Sequence, residues 1–187
     1  MAFTALFDAC VLYPPSVRDV LLSLAVTDLF CTKWTHQIQN EWIEAVLRAR
    51  PNLSESLRRS QHFMHEAIPD ATVTGHESLI DGLALPDPGD HHVLAAAIVG
   101  KADVIVTLNL RDFPDEALAP FQIEAQHPDE FIAHVLTLAP PTALGAIKEM
   151  RARLKNPPFT PSEYLDLLAR QGLPRTVAIL RDNIALV

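Results

Sequence analysis

Short apolar runs alternate with amphipathic segments between residues 2 and 138 of the chain. Apolar or β-branched runs of strand length occur at residues 2–7, 29–33, 71–74, 104–107 and 121–125. Segments with helical spacing of apolar positions occur at residues 14–25, 35–50, 52–68, 90–100 and 128–138. This alternation predicts an α/β fold, a three-layer α/β/α sandwich with a central, mostly parallel sheet.

Several of the predicted helices carry recognisable start and stop signals. Thr35 is placed to cap the helix that carries Trp42, and Pro51 is placed to end it. The turn around residues 86–89 leads into a helix that Asp90 caps and Gly100 ends. These signals fix the helices more firmly than the apolar pattern does alone.

The chain is expected to divide at Pro140 and Pro141 into a domain at residues 1–139 and a helical extension at residues 140–187. In the extension, Thr160 and Glu163 form a capping-box pattern that begins a helix, which Gly172 should end. Pro174 is placed to start another helix.

Charge is distributed unevenly between these two parts. The net charge is −8, an unusual value for a nucleic-acid binder. Residues 142–187 hold seven basic and four acidic side chains, whereas residues 1–141 hold eight basic and nineteen acidic ones. A basic extension on an acidic body is suited to contact phosphate, although a solvated helical tail of basic composition explains the same pattern.

Composition excludes several classes of protein. The longest apolar run, at residues 93–99, is far shorter than the ~20 residues that span a bilayer. The first ten residues lack the pattern of a secretion signal. Cys10 and Cys31 are the only cysteines, which gives neither a disulfide framework nor a zinc motif and fits a reducing cytoplasm. No strand is followed by a G-x-G-x-x-G motif, so a dinucleotide-dependent oxidoreductase is not supported.

Side chains of the type that binds hard cations occur in four short, separated segments, called islands here. Several of the islands lie at strand ends or helix starts, where an open α/β sheet gathers its ligands. Oxygen ligands of this kind suit Mg²⁺ or Mn²⁺, which would neutralise the mutual repulsion of the carboxylates and activate a water for phosphodiester hydrolysis. The islands are Asp8 in FTALFDAC, Glu41 and Glu44 in IQNEWIEAV, Asp87 and Asp90 in LPDPGDHHVLAAA, and Asn109 and Asp112 in VIVTLNLRDF.

Each island also has an ordinary structural explanation. Glutamates on a helix surface are solvated by default, and Asp87 suits turn chemistry. One of Asn109 and Asp112 is placed to cap the turn that follows the strand. The histidines at positions 91 and 92 are expected at the cleft edge or in solvent rather than as metal ligands.

Taken in order, the islands resemble those of the PIN-domain ribonucleases, and especially the VapC-type toxins of bacterial toxin–antitoxin pairs. The corresponding residues are Asp8 after the first strand, Glu41 on a helix, Asp90 in DHHVLAAA, and Asn109 or Asp112 in VTLNLRDF. The resemblance covers about residues 2–138 and depends on the four islands together.

The resemblance implies a function, a cofactor and partners. It implies cleavage of RNA that depends on Mg²⁺ or Mn²⁺, inhibition by a small antitoxin protein, and a homodimer. Asp8 and Asp90 would hold the metal, Glu41 would ligate it or position the water, and Asn109 or Asp112 would complete the site. Additional positions implied for the same site are Asp87, Thr107 and Glu44.

Two departures from the family pattern bear on this expectation. Members often carry a small polar pair after the first aspartate, whereas this chain has Ala9 and Cys10. The fourth position is Asn109, which offers a carbonyl oxygen but no charge, so Asp112 or Asp87 would have to supply it.

Two other functions fit parts of the pattern. A phosphatase of the haloacid-dehalogenase type also begins with an aspartate after a strand, but it requires a second acid at the position held here by Cys10. A catalytically degenerate module of the same fold would use the acidic groove to bind a basic partner. Stabilisation by Mn²⁺ would separate an active site from a degenerate one.

Overall fold

The centre of the fold is a four-stranded, fully parallel β-sheet, seen in a computed structural model that describes residues 3–187. The strand order is β2-β1-β3-β4, with Leu6 of β1 aligned with Ile105 of β3. The predicted α/β class is therefore confirmed. Position 2 of the predicted first strand lies outside the described residues. The strands are β1 (Thr4–Phe7), β2 (Cys31–Lys33), β3 (Val104–Val106) and β4 (Glu124–Gln126).

Ten α-helices accompany the sheet within residues 3–187. They are α1 (Ala9–Leu12), α2 (Pro15–Ala25), α3 (His36–Ala49), α4 (Ser54–Ala67), α5 (His91–Val99), α6 (Asp115–Leu118), α7 (Pro128–Leu138), α8 (Pro140–Arg153), α9 (Pro161–Arg170) and α10 (Pro174–Asp182).

The chain divides into two compact units. In its described part, unit 1 comprises residues 3–13 and 30–127, and unit 2 comprises residues 14–29 and 128–187. Unit 1 holds the sheet together with α1, α3, α4, α5 and α6, whereas unit 2 is helical. The expected division at 139/140 stays a prediction; in unit 2, α7 packs on both α8 and α10.

Apolar strand residues and one face of each helix form the core of unit 1. Phe7, Ile105, Ile38 and Trp42 are fully or almost fully buried. Glu41 is the neighbour of Trp42 on α3, and its side chain stays 39% exposed. A rotation of about 100° per residue explains the difference, because the indole enters the core while the carboxylate points away from it.

The predicted helix signals of unit 1 are largely confirmed. The hydroxyl of Thr35 accepts a hydrogen bond from the Ile38 N–H at 3.0 Å and so caps α3. Gly100 ends α5, where a side chain would meet the Ala96 carbonyl and the Val73 side chain at 2.9 Å. Asp90 occupies the N-cap position of α5, but its side chain makes no capping hydrogen bond. The expected use of one Asp90 oxygen as a cap is therefore wrong, and that oxygen is not consumed by the helix.

The strand expected at residues 71–74 is not present. Thr72 makes only an isolated parallel bridge with Trp34, and the chain turns at once at Gly75, which adopts φ +79°. The last strand also begins later than expected, at Glu124, because Gln122 adopts a left-handed backbone with φ +58°. Backbone reversals, which apolar content does not reveal, shorten both runs.

Unit 2 is built from amphipathic helices whose apolar faces meet. Val20 and Leu21 of α2 are buried, and α2 packs on α7, α8 and α9. The predicted capping box of α9 is present, with Thr160 and Glu163 bonding reciprocally. Gly172, at φ +79°, follows α9, and α10 begins at Pro174 as expected.

The start of α10 is fixed by a buried carboxylate from α7. Asp129 accepts hydrogen bonds from the backbone N–H groups of Arg175 at 2.9 Å and Thr176 at 2.8 Å. A carboxylate at a helix N-terminus satisfies amides that have no partner inside the helix and complements the helix dipole. Asp129 therefore joins two helices that are 46 residues apart in sequence.

Within residues 3–187, no helix combines the length and the apolar character required to cross a membrane.

Candidate active site

Asp8 lies at the carboxyl end of β1, where its carboxylate is held by three hydrogen bonds. Oδ1 accepts from the Ala9 N–H at 2.6 Å, while Oδ2 accepts from the Cys10 thiol at 3.0 Å and the Thr107 hydroxyl at 2.8 Å. The residue is only 6% exposed. A carboxylate offers about four lone-pair positions, so one on Oδ1 stays available to a further partner.

Cys10 and Thr107 join the loop after β1 to the loop after β3. The Cys10 sulfur accepts the Leu108 N–H at 3.1 Å, and the Thr107 hydroxyl accepts the Asn109 N–H at 3.0 Å. Each side chain therefore donates to Asp8 and accepts from the backbone beyond β3. Because β1 and β3 are parallel neighbours, both loops lie at the same sheet edge. The result is a rigid frame around the Asp8 carboxylate.

The Cys10 thiol is suited to donate in this frame rather than to react. Burial, reinforced by the charge of Asp8, raises the pKa of Cys10 to about 12. The sulfur therefore keeps its proton at neutral pH, and a protonated thiol is a weak nucleophile.

Asp90 lies within electrostatic range of three other carboxylates. Burial is the largest cause that raises the pKa of Asp90, which reaches about 6, and the negative charge of Asp8 is the next largest. Asp112 and Asp87 raise it further. Asp8, Asp112 and Asp87 therefore lie close enough to Asp90 for their charges to act on its ionisation.

Asp87 and Asp112 contribute to this region in different ways. Asp87 Oδ1 accepts the Gly89 N–H at 2.7 Å, so the expected turn role is present. Asp112 is half-buried at the end of a short 3₁₀ turn that follows Asn109. Asn109 is exposed, and no side-chain cap from it is present. Of the two alternatives for the fourth island, Asp112 is the one that acts on Asp90 electrostatically.

Glu41 is held by a buried histidine. Its Oε1 lies 3.0 Å from His92 Nε2 and accepts a further hydrogen bond from Gln37 at 3.0 Å. Burial by itself would raise the pKa of Glu41, but the hydrogen bond and charge of His92, with the bond from Gln37, outweigh it and lower the pKa below its usual value. Glu41 is therefore ionised at neutral pH.

His92 departs from its expected place in solvent or at the cleft edge, because it is only 4% exposed. Its Nδ1 is buried without a hydrogen-bond partner in the structure. His91 is less buried, and its Nε2 accepts the Leu85 N–H at 3.2 Å. Glu44, on the other side of α3 from the core, is exposed.

The side chains of this region are of the type that binds a hard divalent cation, but they are not close enough to one another to surround an ion. Within residues 3–187, no group of three or more His, Cys, Asp or Glu side chains lies close enough together to enclose a metal ion. The carboxylates that raise the pKa of Asp90 are nonetheless all oxygen donors, which Mg²⁺ and Mn²⁺ prefer. A cation at this edge would remove their repulsion. Asp8 keeps one free lone pair on Oδ1 for it, and the carboxylate of Asp90 is not used as a helix cap.

Two residues of this region are not evident as site residues from the sequence. Cys10 stands out only as a departure from a polar pair, and His92 is expected in solvent or at the cleft edge. The apolar run in α5 indicates that His92 is buried, because residues 93–97, which follow it directly, are all apolar and buried. A histidine that begins such a segment is often buried and needs a polar partner.

Comparison with known proteins finds similarity over the C-terminal helices and over one stretch of 82 residues. Residues 128–182 match the family model described as "VapC50 C-terminal domain". Over 82 residues the chain is 49% identical to a curated protein of Mycobacterium tuberculosis named "Putative ribonuclease VapC50". That match covers 44% of this chain and 48% of the relative, so the comparison extends over about half of the relative's length.

No solved structure gives a significant match. Both sequence matches are to proteins named VapC50, which agrees with the resemblance to the VapC-type toxins drawn from the sequence.

Proposed function

We propose that this chain is an endoribonuclease that depends on Mg²⁺ or Mn²⁺ and acts as the toxin of a toxin–antitoxin pair. The observation that carries the proposal is the electrostatic coupling of Asp90 to Asp8, Asp112 and Asp87 at one edge of the sheet. Proteins retain such clusters of carboxylates where a cation offsets the repulsion. The printed name of the Mycobacterium tuberculosis relative supports ribonuclease activity.

Asp8 and Asp90 are the residues that would hold the cation. The three hydrogen bonds to Asp8 fix its orientation, so little conformational entropy is lost when its free lone pair is used. The ion, when bound, lowers the pKa of a coordinated water and stabilises charge on the phosphoryl oxygens.

Glu41 is suited to orient the attacking water or to ligate the ion. An efficient general base has a pKa near the working pH, whereas the pKa of Glu41 is lowered. Its ionised carboxylate therefore accepts a hydrogen bond from water more readily than it removes a proton. Asp112 would complete the acidic shell in preference to Asn109, and Asp87, Thr107 and Glu44 stay additional candidates.

The partners follow from the same proposal. The substrate would be RNA, and an inhibitor carrying Arg or Lys into the acidic edge would act as the antitoxin. A homodimer and a cytoplasmic location belong to this proposal too. The relative's name supports the VapC assignment from which the antitoxin is inferred.

A degenerate binding module is the second candidate. It is favoured by the lack of a closed three-ligand group within residues 3–187 and by Asn109 in the fourth island. The phosphatase alternative is weaker. Cys10 stands where that chemistry needs a carboxylic acid, and its thiol serves as a donor to Asp8.

The test is cleavage of end-labelled total RNA by the purified chain, with Mn²⁺ and with EDTA. Asp90→Asn keeps the size of the side chain and removes its charge, and Asp81→Asn at an exposed position is the matched control. We expect cleavage by the wild type and by Asp81→Asn only with Mn²⁺, and none by Asp90→Asn. Equal cleavage by Asp90→Asn would show that these carboxylates are not the catalytic site.

A further inference from the structure

One stretch of unit 1 is basic although the unit as a whole is acidic. Unit 1 contains seven lysine and arginine residues against fifteen acidic ones. Four of those seven lie within residues 48–59, and Glu55 is the single acidic residue between positions 48 and 65. The four are Arg48, Arg50, Arg58 and Arg59, all of them exposed.

The charges of these arginines are not used inside the described chain. None of the four forms an ion pair within residues 3–187, and Arg58 makes only a 3.4 Å hydrogen bond to the Ser54 hydroxyl. In unit 2, by contrast, two arginines, Arg153 and Arg175, each pair with a glutamate. Uncommitted guanidinium groups can bind an anion without first losing a protein partner.

An aromatic pair lies on the same exposed face of α4. Phe63 is 63% exposed, and its ring centroid is 6.1 Å from that of His62. The opposite face of α4 is anchored by Leu57 and Met64, which are 6% and 4% exposed. Phe63 is therefore not required for packing the helix, and its exposed ring is available for stacking against a base.

Helical spacing places the basic and aromatic side chains in adjacent rows. Arg59 and Phe63 are four residues apart, as are Arg58 and His62, so each pair projects from one side of α4. The separation along the axis is about 6 Å. Guanidinium groups beside exposed rings are the combination that binds single-stranded nucleic acid, through phosphate contacts and base stacking.

We propose that the exposed face of α4 binds single-stranded RNA, with a base stacked on Phe63 and phosphates on Arg58 and Arg59. This inference rests on the proposed ribonuclease function and adds a substrate-binding surface outside the carboxylate site. It accounts for RNA binding by an acidic unit, because positive charge is concentrated where the strand would be held. RNA is favoured over a protein partner because the face combines arginines that form no ion pair with two exposed, neighbouring rings rather than a continuous apolar patch.

The experiment measures binding of a fluorescein-labelled single-stranded RNA of about 16 nucleotides to the full chain by fluorescence anisotropy. EDTA is present throughout, so the RNA is not cut. Phe63→Ala removes the ring, Phe63→Trp restores a stacking surface, and a double variant, R58Q/R59Q, removes two charges. Phe121→Ala is the matched control, because Phe121 is also an exposed phenylalanine of unit 1, at 40% exposure.

We expect Phe63→Ala to bind about 5- to 150-fold more weakly, the range that corresponds to loss of one stacked base. Phe63→Trp should bind close to wild type. R58Q/R59Q should reduce the slope of log affinity against log salt by about 1.4, which is two phosphate contacts. Phe121→Ala should bind as wild type does, and melting temperatures should show that the variants are folded.

Two results would overturn the inference, and they differ in what they say of the proposed function. In the first, the wild type binds RNA, and both Phe63→Ala and R58Q/R59Q bind it with the same affinity. This surface then does not bind RNA, while the ribonuclease proposal stands. If the wild type neither binds nor cleaves RNA, both proposals fail together.

Discussion

The imidazole Nε2 of His92 lies 3.0 Å from Oε1 of Glu41, which joins the first turn of α5 to the middle of α3. Glu41 is 39% exposed, whereas the His92 side chain is 5% exposed. The more exposed partner is thus held in place by the buried one. Under the proposed function Glu41 would orient water, and this contact would then fix the position of its carboxylate.

Removing His92 should impair cleavage more than it impairs folding. His92→Ala would free the Glu41 carboxylate and raise its pKa, because the hydrogen bond and charge that lower that pKa are lost. We expect cleavage to fall about 10- to 100-fold, the cost typical of removing a group that orients a metal-site carboxylate. His92→Gln, which keeps a donor near the Nε2 position, should recover part of the rate.

His91→Ala is the control for this change, since His91 is adjacent but does not bond Glu41. Steady-state cleavage kinetics and urea denaturation on all three variants provide the measurement. Similar loss of rate in His91→Ala and His92→Ala would mean that the Glu41 contact is unimportant.

Asp90 should make the metal-free protein less stable as pH rises. The pKa of Asp90 is raised from its usual 3.8 to about 6 in the folded state, so the folded chain binds the proton more tightly than the unfolded chain does. Stability from this group is therefore greatest below about pH 4 and declines as pH rises to about 6. Asp90→Asn removes the ionisation, and with it this decline.

Melting temperatures across pH 3.5–8 in EDTA test this expectation. Asp90→Asn should melt above the wild type at pH 7 and converge with it toward pH 4. Added Mn²⁺ should then stabilise the wild type and leave Asp90→Asn nearly unchanged. If the melting temperature of the wild type instead rises relative to that of Asp90→Asn between pH 4 and 6, Asp90 does not lower stability with rising pH and the prediction is wrong.

Thr107→Val should loosen the frame around Asp8. The substitution keeps the shape of the side chain, removes the 2.8 Å bond to Asp8 Oδ2 and leaves the Asn109 N–H without its acceptor. A hydrogen bond to a charged group contributes about 1.5–3 kcal/mol, so urea denaturation should show a loss of that order. Thr107→Ser, which keeps the hydroxyl, should lose markedly less, and equal losses would exclude the hydrogen bond as the cause.

Asp129→Ala should destabilise unit 2 through the start of α10. Two backbone N–H groups, of Arg175 and Thr176, would lose their acceptor at a buried position. We expect a loss of about 1–3 kcal/mol in the free energy of unfolding. Arg175→Gln, which removes only the exposed ion pair with Glu130, should cost less than about 1 kcal/mol.

The measurement is equilibrium urea unfolding followed by circular dichroism at 222 nm. The ordering of the two variants decides the result: if Arg175→Gln costs as much as Asp129→Ala, the surface ion pair rather than the buried cap holds the start of α10.

The sequence predicts the ends of helices well, because the signals that set them act over only a few residues. Thr35, Gly100 and the Thr160–Glu163 capping box all signal helix ends through bonds within three or four positions. The strand expected at residues 71–74 was wrong because Gly75 reverses the chain, and the sequence pattern contains no measure of sheet pairing.

The sequence predicts which residues belong to the candidate site but not the hydrogen bonds within it. It places Asp8 at a strand end and Asp90 at a helix start, the positions at which an open α/β sheet gathers its ligands. The partners of Asp8 and Glu41 could not be read in this way. Cys10–Thr107 and Glu41–His92 are contacts across 97 and 51 positions, which depend on packing of the whole unit.

A titration with Mn²⁺ tests whether RNA cleavage depends on a cation held by Asp8 and Asp90. The rate of cleavage is measured at each concentration, and bound Mn²⁺ is followed by electron paramagnetic resonance in the same samples. We predict that cleavage is absent in EDTA and rises in proportion to bound Mn²⁺, and that Asp8→Asn loses both signals together. Cleavage that persists unchanged in EDTA, or Mn²⁺ bound at this site without any cleavage of RNA, would contradict the account.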